Sequence, residues 1–126
     1  PLEGTVYTRL NPPLFNWVIE NLIKNALDAM EGVGELKLTT EVHKNEVIID
    51  IRDSGKGIPK SKFKTVFQPG YSTKKRGWGL GLSLSKRIIE NYHSGKIFVK
   101  ESEHGKGTTF RIILPRIERP VTANAD

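Results

Sequence analysis

Asn21, Asn25 and Asp28 stand at i, i+4 and i+7 in a stretch of helical apolar periodicity, so they line up along one edge of a helix. A row of short polar side chains beside a core needs partners, because buried polar groups are costly when unpaired. A carboxamide oxygen is also a hard donor, suited to Mg²⁺, which keeps several waters and bridges phosphates. Asp53 follows a strand-like run and leads into Gly55, Gly57 and Ile58. An ionised carboxylate only accepts hydrogen bonds, which suits the exocyclic amino group of adenine and opposes the carbonyl of guanine. The same segment reads equally well as an ordinary Asp-Gly turn. Gly55 and Gly57 let backbone approach a flat base without a Cβ in the way. Gly77, Gly79 and Gly81 alternate through a third segment that opens a second helix. Glycines before a helix start expose backbone N–H groups to an anion. Lys74, Lys75 and Arg76 precede them, either as a lid over phosphates or as a solvated loop. Taken together, the segments describe a pocket for a purine nucleotide and its metal-bound phosphates.

Other phosphate-binding patterns do not fit. The dinucleotide fingerprint places G-x-G-x-x-G directly after a strand, whereas these glycines follow a loop with G-x-G-x-G spacing. No segment matches the P-loop, and the H-R-D signature of protein kinases is absent.

The elements that must position these residues follow from periodicity. Asn11 caps a helix with Pro12 at its first position, running to about Met30 and stopping at Gly32. Its apolar arc is built from Phe15, Val18, Ile19, Leu22, Ile23, Ala26, Ala29 and Met30, with Asn16, Glu20, Lys24 and Glu31 on the solvent side. Residues 36–42 alternate as a half-buried strand and residues 47–52 form a second, paired through a turn at Lys44 and Asn45. A short helix is expected from Pro59 to Phe67, a loop over 68–78, a helix from Leu80 to Tyr92, and strands at 96–100 and 108–114. That order predicts an α/β fold with helices layered on one face of a mainly antiparallel sheet.

The 126 residues favour one domain, expected over 1–115, with 116–126 as a flexible tail or linker. Hydrophobic residues make up 37%, enough for a core at this size. There is no cysteine, which excludes disulfides and thiolate metal sites. No apolar run reaches membrane-spanning length, so no membrane contact is expected of this segment. The net charge of +6 is spread over the chain and reads as a solvated basic surface rather than a nucleic-acid footprint. Because Pro1 opens the chain, a fragment or processed product is expected.

These motifs resemble the GHKL ATP-binding superfamily, and within it the catalytic ATP-binding domain of bacterial sensor histidine kinases. Residues 21–29 resemble its N box, 53–57 its G1 box, Phe67–Pro69 with 71–74 its F box, 77–83 its G2 box, and Gly107–Phe110 its closing glycine-threonine motif. The resemblance covers about residues 5–115. It implies a two-layer α/β sandwich, the Bergerat fold, with helices on one face of a mixed, mainly antiparallel sheet. It also implies ATP and Mg²⁺ as ligands, with Asn25 on the metal and Asn21 supporting the phosphates. Asp53 would take the adenine amino group, with Thr108 on the same side. Lys24, Gly55, Gly57, Ile58, Ser72, Thr73, Lys74, Gly77, Gly79, Leu80, Gly81 and Leu82 would complete the nucleotide site. Two departures stand out: Asp28 occupies a position that many relatives give to a basic residue, and Gly70 replaces a second F-box Phe.

Within the superfamily, hydrolysing members carry a Glu where this chain has Asn21. An amide cannot serve as a general base. The resemblance therefore implies transfer of the γ-phosphate to a histidine, in two-component signalling, over the alternative of an ATPase module that closes on ATP. His43, His93 and His104 all read as surface residues, and none has the helical setting of the family's acceptor. The acceptor is expected on a separate dimerisation domain, with a response regulator downstream, and little autophosphorylation is expected of this chain alone. A cytoplasmic location is implied, in a parent that can be membrane-anchored.

Overall fold

The structure is a computed structural model and describes residues 6–71 and 81–118. Helix α1 spans Pro12–Ala29, and the Asn11 side chain accepts the Leu14 N–H as its cap. Strands β1 (Leu36–Val42) and β2 (Glu46–Asp53) form the expected hairpin, with Leu36 opposite Asp53 and Val42 opposite Val47. Two 3₁₀ turns follow, Lys60–Lys62 and Thr65–Phe67, where a single short helix was expected. Lys60 and Lys64 repel at i, i+4, and nine residues hardly support a helical nucleus. Helix α2 (Gly81–Arg87) passes into a π-helical turn over Ile88–Tyr92. Strands β3 (Lys96–Glu103) and β4 (Gly107–Pro115) complete the sheet.

The sheet order is β1-β2-β4-β3, and every pairing among these four strands is antiparallel. No parallel pair occurs among the described residues, so the expected mixture is absent from this part of the sheet. The helices cover one face. Val18 and Leu22 of α1 and Ile88 and Ile89 of the π turn pack with Ile51, Phe110, Ile112 and Leu114. The cover thins towards β1, where Leu38 is 49% exposed. On the open face Arg111 grips Asp50 with two hydrogen bonds of 2.8 Å, directly across the β2–β4 pair. These bonds hold the Asp50 carboxyl below the usual carboxylate range. At the expected start of the tail, Arg116 N–H donates to Asn45 and Ile117 N–H donates to Tyr7.

His93 is not the surface residue that its place at a helix end suggested. It is 3% exposed. The Asn11 backbone N–H donates to Nε2 at 3.0 Å, which leaves the ring hydrogen on Nδ1 to reach the Ile88 carbonyl at 3.0 Å. The ring also lies against Phe15. The π turn and a left-handed Ser94 direct the side chain inward. His93 thus ties the start of α1 to the end of the second helix. We expect His93→Ala to destabilise the fold by about 3 kcal/mol, because it orphans a buried donor and a buried acceptor and removes a packed ring. Urea unfolding checks this, and a loss below about 1 kcal/mol would show the tie to be dispensable.

Candidate nucleotide site

The α1 and β2 termini place the first two motifs side by side. Asp53 is the last residue of β2 and is 4% exposed. Its Oδ1 accepts the Gly55 N–H at 2.8 Å and the Thr108 N–H at 3.3 Å. Among the described residues no hydrogen bond reaches Oδ2. Burial pushes the carboxyl above its ordinary value, against the pull of the two backbone N–H groups. Burial thus works against the ionised form of the group.

Gly55 is pressed on α1. A Cβ there would fall 2.6 Å from the Ala29 carbonyl oxygen, the same oxygen that accepts the Lys56 N–H at 3.1 Å. Gly57, at φ +85°, lies against the backbone of Glu103. The Thr108 hydroxyl shares a 2.7 Å hydrogen bond with Ser102, which also accepts the Ile58 N–H at 2.7 Å. Ile58 and Leu82 pack against the core cluster.

Nearer the start of α1, Asn21 meets the second helix. Its Nδ2 donates to Ser85 Oγ at 3.2 Å, and a Cβ on Gly81 would fall 2.6 Å from its Oδ1. Asn21, Asn25 and Ala29 share one helix edge at i, i+4 and i+8. Gly81 therefore packs at one end of the row and Gly55 at the other, about 12 Å apart along the axis. Half-buried Asn25 stands between them, whereas Asp28 and Lys24 are exposed. Ser72, Thr73, Lys74, Gly77, Gly79 and Leu80, together with Lys75, Arg76 and Trp78, lie outside the described residues.

The donor set fits the ligands that the motifs imply. One carboxamide oxygen with no clustered acids suits a cation held mostly by phosphates and water; no cluster of three or more His, Cys, Asp or Glu occurs among the described residues. A hollow of about 230 Å³ opens beside Asp53, Ser54, Arg52 and Lys106. A larger cavity of about 580 Å³ lies at the opposite end of the strands, near Glu46 and Pro115, and touches none of the candidate residues.

Sequence reasoning missed Ser102 and Ser85. A bulge between Val99 and Glu101 shifts the β3 alternation by one and turns Ser102 towards Thr108. No pattern in the sequence announces that bulge. Ser85 had a weak signal, a small hydroxyl residue on an otherwise apolar helix face, four residues after a glycine.

Residues 11–118 match the family model described as histidine kinase-, DNA gyrase B-, and HSP90-like ATPase. Sporulation kinase C of Bacillus subtilis (strain 168) is 40% identical over 98 residues, 78% of this chain and 22% of that protein. Sensor histidine kinase ZraS of Salmonella typhimurium is 41% identical over 110 residues, 86% of this chain and 23% of that protein. The chain thus spans less than a quarter of either relative. The catalytic domain of histidine kinase ThkA, in a nucleotide-free form, superposes with a TM-score of 0.73 at 35% identity, covering 82% of this chain and 68% of that one. The mycobacterial sensor histidine kinase MprB, at 23% identity and a TM-score of 0.78 over 92% of this chain and 78% of that one, shares the fold. The chain belongs to the histidine kinase-, DNA gyrase B- and HSP90-like ATPase family, as a catalytic ATP-binding domain of the sensor histidine kinase type.

Proposed function

We propose that this chain binds Mg-ATP along the half-buried Asn21–Asn25 edge of α1 and presents the γ-phosphate to a histidine on a separate dimerisation domain. The observation that carries the reading is the single helix edge with a glycine packed at each end and Asn25 between them. Asp53 Oδ2 accepts the adenine amino group, with Thr108 and its Ser102 partner flanking the base. Asn25 gives a carboxamide oxygen to the metal, and Asn21 faces the phosphate end. Mg²⁺, when bound, polarises the γ-phosphoryl group. A nitrogen of the incoming imidazole forms the new bond to phosphorus, the bond to the β,γ-bridging oxygen breaks, and ADP leaves. Asn21 cannot draw a proton from water, so hydrolysis stays slow while a histidine, a better nucleophile than water, reacts. The acceptor domain and a downstream response regulator are the partners this chemistry calls for. No helix among the described residues is long and apolar enough to cross a membrane.

Calorimetric titration with Mg-ATP and with Mg-GTP tests the reading. Binding of the adenine nucleotide alone is expected. Equal binding of both, or of neither, overturns it.

A further inference from the structure

Ser85 is 0% exposed, sits one turn into α2, and its only side-chain partner among the described residues is Asn21. Its Oγ lies 2.8 Å from the Gly81 carbonyl oxygen. A carbonyl carries no hydrogen, so the serine's single hydrogen fills that gap. Only lone pairs are then left on Oγ for residue 21, 3.2 Å away, and residue 21 must donate. This settles which end of the Asn21 carboxamide faces the second helix. Nδ2 points at Ser85, and Oδ1 lies over Gly81, where the absence of a Cβ makes room for it.

We infer that Ser85 is a positioning residue: it fixes the orientation of the Asn21 carboxamide at the phosphate end of the site. The role in binding rests on the nucleotide reading given above. The orientation itself does not.

The test is a double-mutant cycle on Mg-ATP affinity with Ser85→Ala and Asn21→Ala, alongside NMR of the Asn21 side-chain amide in the nucleotide-free protein. Ser85→Ala should weaken affinity roughly three- to tenfold, the worth of one hydrogen bond. It should have no further effect once Asn21 is alanine, because it acts through that side chain. Ser85→Thr keeps the hydroxyl and should restore affinity. In the free protein, Ser85→Ala should shift the Asn21 side-chain amide signals. Should the alanine variant unfold, Ser85→Cys, with its weak donor and acceptor, takes its place with the same expectations. An unchanged affinity in Ser85→Ala, additive losses in the cycle, or unmoved Asn21 amide signals would overturn the inference. If the unaltered protein binds no Mg-ATP, the nucleotide reading fails, and the NMR comparison still decides whether Ser85 orients Asn21.

Discussion

Replacing Asp53 by asparagine should cost about a hundredfold or more in Mg-ATP affinity and leave the fold as stable as before, or more so. The two effects separate because the two carboxylate oxygens have different tasks. Oδ1 serves the structure, accepting the Gly55 and Thr108 N–H groups. Asparagine keeps an oxygen there, since its NH₂ end facing two N–H donors would be repelled. The NH₂ group is therefore forced into the place of Oδ2, where the adenine amino group also donates. A charge-assisted hydrogen bond becomes a donor–donor clash, a swing of roughly 3 kcal/mol, or two decades in affinity. Stability does not suffer, because the variant no longer buries a charge.

The pH dependence carries the opposite sign for folding and for binding. Burial raises the folded-state value of Asp53 above 3.8, so the ionised form burdens the native state at neutral pH. That burden is relieved as pH falls through the raised folded value. Binding needs the ionised form, since a proton on Oδ2 imitates the asparagine. Mg-ATP affinity should therefore decline on acidification at a pH above the ordinary aspartate range, while the Asp53 contribution to stability improves. Calorimetry across a pH series, paired with urea unfolding of both proteins, checks each half. An asparagine variant that binds like the parent would remove Asp53 from base recognition.

What the sequence made legible was whatever depends on local chemistry. Asn11 with Pro12 marks the start of α1, and the alternation at 36–42 marks β1, because caps and periods of two act within a few residues. The Asn21, Asn25, Asp28 row was legible for the same reason, since helical spacing alone puts these positions in line; that Ala29 continues it onto Gly55 while Asp28 stays exposed was not. The hidden features depend on tertiary geometry. The two 3₁₀ turns after Pro59 replace a helix because short, lysine-rich segments take whatever backbone the core allows. His93 turns inward because the second helix widens into a π turn before it, which no residue type signals. Ser102 joins Thr108 through a bulge one residue long. Asp50 acquires its partner only through the register that places Arg111 across from it. The lid assignments at Ser72–Lys74, Gly77, Gly79 and Leu80 stay as sequence expectations.

The second large effect falls on Gly107, and Gly105 supplies its control. Both have positive φ, +120° and +76°. A left-handed conformation costs a non-glycine residue roughly 1–2 kcal/mol, which is the cost to Ala at Gly105. At Gly107 φ +120° lies further out, where glycine alone is at ease, so the cost to Ala is at least as large. The surroundings differ. A Cβ on Gly105 meets nothing within 4 Å, whereas a Cβ on Gly107 runs into the carbonyl oxygen of Asp53 and approaches the Ser54 Cα at 2.9 Å. Backbone cannot rotate away as a side chain can, so the first residue of β4 must move off the end of β2, adding about 1–3 kcal/mol of overpacking. Gly107→Ala should therefore lose roughly 3 kcal/mol or more in urea unfolding, and Gly105→Ala about 1–2 kcal/mol. The displacement also pulls the Thr108 N–H from Asp53 Oδ1. Where Gly107→Ala remains folded, its Mg-ATP affinity should fall well below that of Gly105→Ala, which should match the parent. Equal losses of stability in the two variants would mean that the β2–β4 junction yields freely, and that the position of Asp53 is set by its own loop rather than by the strand beside it.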